Sequence, residues 1–438
     1  MNMYHCRGFD QDRRRFLRRA GAAGVGLALS GCAGLMRGQP HVAVVGGGFA
    51  GAAAARALRL ADPGLAVTLL EPKAVYLTCP ASNWYLAGLC EWDVLEREYR
   101  SLTRDYGVVW RQTAAKGFDF AKRKVLLADG GMLSYDRLIV APGIEFDYGT
   151  LHGYGAELTA RFPHAWQAGW QTRLLRRQLE AMPDGGVAVM TVPAEPYRCP
   201  PGPYERASLL AYWLQRNKPR SKLLILDAKT GFSKQKLFEE AWRRLYGYGG
   251  EHALLEWITL ADNPLQALSQ SSATLSTAFG DSFSGAVLNI IPPQRAAAIA
   301  REAGLTDAGG WCPVKPETGE SLLQPGVHVV GDAARYAPIP KSAFAAVSEA
   351  KTCARAVAAL LRGQEPPEPQ WLNVCYSLVN PEYGISVAGA YRAEADKIVA
   401  VKGAGGLSGG GADTPRREAV YARGVYRRLL AESFGEPS

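Results

Sequence analysis

Residues 41–71 limit what this chain can fold into more than any other stretch. His41-Val42-Ala43-Val44-Val45 reads as a buried strand, and Gly46-Gly47-Gly48-Phe49-Ala50-Gly51 follows it with G-x-G-x-x-G spacing. An alanine-rich helix then runs to about Leu60, Ala66-Val67-Thr68-Leu69-Leu70 reads as a second strand, and Glu71 closes it. Each residue type has a mechanical reason. Gly46 makes the tight turn, Gly48 lets backbone approach a pyrophosphate, Gly51 allows the helix to pack closely, and Glu71 is placed to hold a ribose hydroxyl. Strand, loop, helix and acid in register predict a dinucleotide-binding βαβ unit, and so an α/β chain built on a parallel sheet.

The chain is long enough for more than one such unit: its 438 residues allow two or three packed domains. A second strand–loop–helix is expected at Val187-Ala188-Val189-Met190-Thr191-Val192, after a helix over residues 166–181 and before one from about Pro203 to Arg216. Here the loop, residues 193–202, holds one glycine and four prolines. Such a loop cannot turn its amides onto a pyrophosphate, so NAD(P) is not expected to bind. The strand Lys222-Leu223-Leu224-Ile225-Leu226-Asp227 still ends in an acid. We read it as a trace of shared ancestry rather than a working ribose contact.

Charge and cysteine usage narrow the function classes. Seven arginines against two aspartates in the first 38 residues supply five of the nine excess positive charges. The rest is only mildly basic, with no basic run interleaved with aromatics, so nucleic acid is not an expected partner. Arg13-Arg14-Arg15-Phe16-Leu17-Arg18 precedes a short apolar run, residues 20–30, and together they resemble a twin-arginine export signal. Such signals carry folded, commonly cofactor-bearing proteins, so export of the mature chain to the periplasm is expected. Leu29-Ser30-Gly31-Cys32 also resembles a lipoprotein box, so a lipid anchor at Cys32 stands beside ordinary cleavage as an expectation. No C-x-x-C and no C-x-x-C-H occurs among the eight cysteines, which leaves a zinc ribbon, a thioredoxin motif and a haem on this chain without support; no metal ligand set is assigned.

Two later segments resemble the flavoprotein disulfide-reductase superfamily, of glutathione reductase-like fold. Leu138-Ile139-Val140-Ala141-Pro142-Gly143 matches its strand-to-turn exit from the FAD domain, and Val327-His328-Val329-Val330-Gly331-Asp332 matches its strand ending in Gly-Asp. The resemblance implies FAD on the first unit, with Ala141, Gly143, Gly331 and Asp332 against it. Lys341, at the start of an alanine-rich helix over residues 343–361, would bring positive charge to the flavin pyrimidine. Cys79, in Thr78-Cys79-Pro80-Ala81-Ser82-Asn83, lies on the cofactor side of the sheet, where a buried small residue and a flavin neighbour are both open readings.

Pro196-Tyr197-Arg198-Cys199-Pro200-Pro201-Gly202-Pro203-Tyr204-Glu205-Arg206-Ala207-Ser208 resembles the flavoprotein subunit of flavocytochrome c sulfide dehydrogenase. Phe232-Ser233-Lys234-Gln235, Gly309-Gly310-Trp311-Cys312-Pro313-Val314, Leu372-Asn373-Val374-Cys375-Tyr376-Ser377-Leu378 and Tyr383-Gly384-Ile385-Ser386-Val387 are similar to it too. The resemblance implies a thioether from Cys79 to FAD, a redox-active disulfide between Cys199 and Cys375, and Glu205 as a proton acceptor beside it. It also implies sulfide as substrate and a cytochrome c subunit as partner in a heterodimer. From the residues alone Cys199–Cys375 is equally readable as a structural disulfide, and Glu205 as an acid complementing a helix dipole. At the start of a helix Cys199 is expected to favour the thiolate that forms when the disulfide opens.

The expected division is a leader over 1–38, an FAD domain over 39–153 and 294–364, an NAD-domain-like unit over 154–293, and a C-terminal α+β interface domain over 365–438. Within the last, the glycine-rich run 403–413 reads as a flexible loop and residues 416–434 as one closing helix. The function expected is FAD-dependent oxidation of sulfide to sulfur or polysulfide. Three alternatives are retained: a sulfide:quinone oxidoreductase, an NAD(P)H-dependent flavin disulfide reductase, and a non-catalytic flavin-bearing partner subunit.

Overall fold

The computed structural model describes residues 38–436. The arginine-rich leader and Cys32 lie outside the described residues. From the N-terminal side come β1 (His41–Val45), α1 (Phe49–Ala61), β2 (Ala66–Leu70), α2 (Ser82–Leu86), β3 (Val109–Arg111) and β4 (Arg137–Val140). Next are α3 (Trp170–Ala181), β5 (Val187–Val192), α4 (Gly202–Asn217), β6 (Lys222–Asp227), α5 (Gln235–Tyr246), β7 (Leu255–Thr259) and β8 (Val287–Ile290). The chain then runs through β9 (Val327–Val329), α6 (Ala343–Leu361), β10 (Gln370–Asn380), β11 (Tyr383–Glu394), β12 (Lys397–Leu407) and α7 (Thr414–Phe434).

Two parallel sheets organise these elements, as expected for an α/β chain with two Rossmann-like units. The first has the order β9-β4-β1-β2-β3, with His41 opposite Ala66 and Val42 opposite Arg137. The second has the order β7-β6-β5-β8. In both, the first strand lies inside the sheet, between its successor and a strand that returns later. That crossover opens a crevice at the carboxyl ends of the strands. Near-continuous Val and Ala in β1 and β5, with Met190 in β5, follow from burial on both faces. The third layer is an antiparallel sheet, β10-β11-β12, closed by α7.

Packing explains the alanines. Ala52, Ala53, Ala54 and Ala55 of α1 lie in one core with Ala350, Ala354 and Ala358 of α6, where small side chains let two helices approach. Gly51 is required by the same closeness: a Cβ there would stand 1.8 Å from the Gly46 carbonyl oxygen. Phe434 of α7 is fully buried in this core against Phe49 and Tyr76, and the Tyr426 hydroxyl bonds Thr78 and the Val94 carbonyl.

Two expectations are corrected. The helix expected over 166–181 begins at Trp170, because the Gly169 N–H is capped by the Thr172 hydroxyl and the preceding residues bend away, with Ala165 at φ 48°. The run read as a flexible loop over 403–413 contributes its first residues to β12. Glycine serves there because a Cβ on Gly405 would meet the Ala388 carbonyl oxygen at 2.3 Å. Loop and close-packed strand ask for the same residue, so composition did not separate them.

Candidate functional site

A cavity of about 220 Å³ opens where the carboxyl ends of the first sheet meet the start of α4. Gly46, Gly48 and Glu71 line it from the first βαβ unit, and Ala141, Gly143 and Asp332 from the ends of β4 and β9. Cys79, Cys199 and Glu205 line the same cavity. Gly51 and Gly331 stand behind its wall: Gly51 packs on Gly46, and the Gly331 N–H donates to the buried Glu349 carboxylate at 2.9 Å. Gly46 has φ +98°, and a Cβ there would sit 2.3 Å from the Ala141 oxygen, so the turn between β1 and α1 depends on glycine.

The cavity suits a flavin dinucleotide. Glycines and the small Ala343 and Ala346 leave room along one wall, and the amino end of α1 faces the space with its unpaired N–H groups. The buried indole nitrogen of Trp166, which also lines the cavity, has no hydrogen-bond partner within the protein. Glu71 already accepts the N–H groups of Gly47 and Lys73, each at 2.9 Å, so it braces the glycine loop as well as facing the cavity. Lys341 does not line this cavity. Its ammonium donates to the carbonyls of Asp332 at 2.9 Å and Ala334 at 2.7 Å and lies 3.9 Å from the centre of the Trp311 ring.

The proline-rich loop after β5 holds Cys199 in a left-handed conformation, φ 58°, with its N–H donating to the Lys341 carbonyl at 2.7 Å. Glu205, one turn into α4, is buried. One carboxylate oxygen accepts the Leu378 N–H at 2.9 Å and the other the Asn83 amide at 3.1 Å. Cys375 comes from β10, and its thiol donates to the Asn373 side-chain oxygen at 3.6 Å. Both cysteines are free thiols, near enough that charge on Cys375 acts on Cys199.

Burial decides their ionisation. It pushes the Cys199 thiol far up; Cys375 and Glu205 push the same way, and Lys234 and Arg198 only partly offset this. The thiolate expected from the helix start is therefore not favoured: desolvation of a buried sulfur outweighs the dipole. Cys375 is raised by burial too, but Lys234, Ser342 and Asn373 pull it back down. The Glu205 carboxyl is raised by burial, against the Leu378 and Asn83 hydrogen bonds.

Three charged side chains at the site escaped sequence reasoning. Lys234 is 5% exposed, with φ 63°, and donates to the Cys375 carbonyl at 3.0 Å and the Ser377 hydroxyl at 2.7 Å. Arg206 is 1% exposed and bonds Asn83, His164, Ala165 and Asn289 while stacking on Trp166. Arg198 faces Asp332 across the cofactor cavity at 3.8 Å. Their positions inside quoted motifs were the only signal.

At the same place on the second sheet, Asp227 is fully buried. It accepts from the Tyr204 hydroxyl, the Trp257 indole at 2.9 Å and the Lys229 ammonium at 2.6 Å. Among the described residues there is no metal-ligand cluster of His, Cys, Asp or Glu, and no helix long and apolar enough to cross a membrane.

Residues 172–292 match the family described as the central part of the sulfide dehydrogenase (flavocytochrome c) flavoprotein chain. Residues 367–434 match the flavin-binding part of flavocytochrome c sulphide dehydrogenase, and residues 40–168 pyridine nucleotide-disulphide oxidoreductase. A curated sulfide dehydrogenase (flavocytochrome c) flavoprotein chain from Chlorobaculum thiosulfatiphilum is 56% identical over 46 residues, 10% of this chain and 96% of that relative. Mouse mitochondrial sulfide:quinone oxidoreductase is 22% identical over 336 residues, 74% of this chain and 72% of the mouse sequence. The solved sulfide:quinone oxidoreductase of Aquifex aeolicus has the same fold: TM-score 0.66 at 16% identity, covering 91% of this chain and 93% of that one.

Proposed function

Because the chain belongs to the family of flavocytochrome c sulfide dehydrogenase flavoprotein chains, FAD-bearing oxidoreductases, we propose that it oxidises sulfide through a Cys199–Cys375 disulfide and passes the electrons to a separate cytochrome c subunit. One observation carries the reading. Cys199, Glu205 and Cys79 share the cavity that the glycine loop frames, and Cys375, from another layer of the fold, lies near enough for its charge to act on Cys199.

FAD held there, with a thioether to Cys79, supplies a two-electron acceptor. The protein's own share of the work is sulfur chemistry. Hydrosulfide attacks the disulfide, leaving a persulfide on one cysteine and a thiolate on the other. Lys234 lies where it lowers the cost of negative charge on both sulfurs, and Glu205 is placed to take a proton in the buried pair. Arg206, through Asn83, holds Glu205 toward Leu378.

The commitment of Asp227 to three side chains supports the proposal that no NAD(P) binds this half. With no haem motif on the chain, the acceptor is a partner subunit. The leader motifs support export to the periplasm, with Cys32 a candidate lipid anchor.

Anaerobic titration of the purified protein with sulfide, followed by mass spectrometry of the flavin-bearing peptide, tests the reading. Sulfide-dependent loss of flavin absorbance, its abolition in Cys199→Ser and Cys375→Ser, and flavin on the Cys79 peptide are expected. No absorbance change with sulfide sinks the proposal. Re-oxidation by a quinone analogue but not by cytochrome c moves the chain to the quinone-reducing alternative.

A further inference from the structure

Behind the wall of the cofactor cavity stands a carboxylate that the sulfur chemistry leaves unused. Ala343 and Ala346 of α6 line the cavity, and Glu349 follows them at the same three-residue spacing, one turn deeper. It is 4% exposed, and its carboxylate accepts the Gly331 N–H at 2.9 Å. Val330 and Asp332, on either side of that glycine, both line the cavity. The peptide group that Glu349 holds is therefore part of the cofactor wall.

Its neighbours meet its charge only in part. Lys341 is the nearby cation, but its ammonium is spent on the Asp332 and Ala334 carbonyls and the Trp311 ring. Asp332, on the cavity side, has the same sign. Tyr336, from the loop after β9, and Cys353, one turn further along α6, are buried neutral groups within reach of its charge. From across the helix pair, α1 brings alanines. Burial, the largest effect, holds the Glu349 carboxyl well above the usual carboxylate range; Lys341 and the Gly331 N–H offset part of this, and Asp332 adds to it. An electron pair arriving in the cavity sets further negative charge across one wall, in a medium that screens it poorly.

We propose that Glu349 takes up one proton, drawn from water, each time the cofactor receives an electron pair. One O–H bond forms on the carboxylate and one breaks in the solvent; no protein group is oxidised or reduced, and the electrons come from the reductant. Glu349 does not touch the cofactor. It acts across Gly331 as a charge-compensating group, in addition to any proton that the cofactor takes itself. Water comes close to it, because Lys341 and Tyr336 line a second cavity of about 380 Å³ whose rim residues Arg335 and Ala337 are exposed. The inference needs FAD in the first cavity and is independent of the sulfide reaction.

The test is a redox titration of the holoprotein with a chemical reductant and mediator dyes, without sulfide, followed by flavin absorbance across neutral and alkaline pH. Wild type is compared with Glu349→Gln, whose amide oxygen can still accept the Gly331 N–H. On the acid side of the Glu349 titration the carboxyl already holds its proton before reduction, and the two midpoint potentials are expected to fall with pH at the same slope. On the alkaline side the wild-type slope is expected to steepen by one proton per electron pair, and the steepening is lost in Glu349→Gln. Equal slopes throughout overturn the inference and leave the sulfide reaction standing. A second readout does not depend on that variant: infrared difference spectra, reduced minus oxidised, of Glu205→Gln with and without carboxyl-labelled glutamate, so that the other buried glutamate is silent. A protonated-carboxyl band that grows on reduction at alkaline pH and shifts with the label is expected; its absence overturns the proposal.

Discussion

The Glu205 carboxylate accepts the Leu378 N–H at 2.9 Å, so one buried side chain ties the helix that begins beside Cys199 to the strand that carries Cys375. Its second oxygen holds Asn83 at 3.1 Å. In Glu205→Gln one end of the amide carries hydrogens toward a donor, and an unsatisfied buried donor costs about 1–3 kcal/mol. The expected result is a lower Tm of that size together with a changed pH profile. Burial raises the Glu205 carboxyl, so the acid limb of sulfide-driven flavin reduction lies above the ordinary carboxylate range in the wild type and is absent in the variant. If the limb persists in Glu205→Gln, Glu205 does not take the proton.

Lys234 is lowered to about 8 by burial, with Cys375, Glu205, Cys199 and Glu418 acting to raise it. Its folded value lies below its unfolded one, so the unfolded chain binds the extra proton between these pH values. Stability therefore rises with pH from about 8 toward 10.5, a span on the order of 3 kcal/mol. Urea titrations are expected to show this rise in the wild type and not in Lys234→Met. Activity has the opposite slope: as the ammonium discharges above about 8, sulfide-driven reduction slows, and Lys234→Met is slow throughout with no alkaline limb. A variant that keeps the alkaline limb removes Lys234 from the reaction.

His328 is fully buried, donates through Nδ1 to the Thr318 carbonyl at 3.0 Å, and has no partner for Nε2. Burial lowers it to about 4. The neutral ring contributes full stability above about 6.5, and this is lost as pH falls toward 4, on the order of 3 kcal/mol. Denaturant midpoints measured at neutral pH and near pH 5 are expected to differ less in His328→Leu than in the wild type.

Cys79 lines the cofactor cavity, and the Ala168 N–H points at its sulfur at 3.5 Å. If it carries the flavin, acid precipitation leaves the yellow colour in the pellet of the wild type and in the supernatant of Cys79→Ser. Free flavin from both proteins disposes of the covalent link.

The parallel sheets were readable because β1 and β5 are short apolar runs between turn and helix signals, a pattern local in sequence. The glycine loop was readable for the same reason. The meeting of Cys199 with Cys375 was not, since no local rule brings β10 to the start of α4; only family likeness suggested it. Arg206 and Lys234 were invisible for a physical reason. A charged residue on a helix or in a turn is ordinarily solvated, and their burial follows from neighbours, Asn83, Asn289 and Ser377, contributed by distant segments. Gly405 misled because a loop and a close strand contact both select glycine.

The closing helix turns an order in space into an order in time. Phe434 is part of the core that packs α1 and supports the cofactor loop, and Tyr426 reaches Thr78, one residue from Cys79. A ribosome delivers these residues only when the glycine loop has long been outside the exit tunnel. The amino-terminal half therefore cannot finish its core before α7 has been made, unlike domains that fold one after another during synthesis. Maturation of the flavin site must wait until α7 has been made, and termination anywhere before that helix leaves the first domain without part of its core.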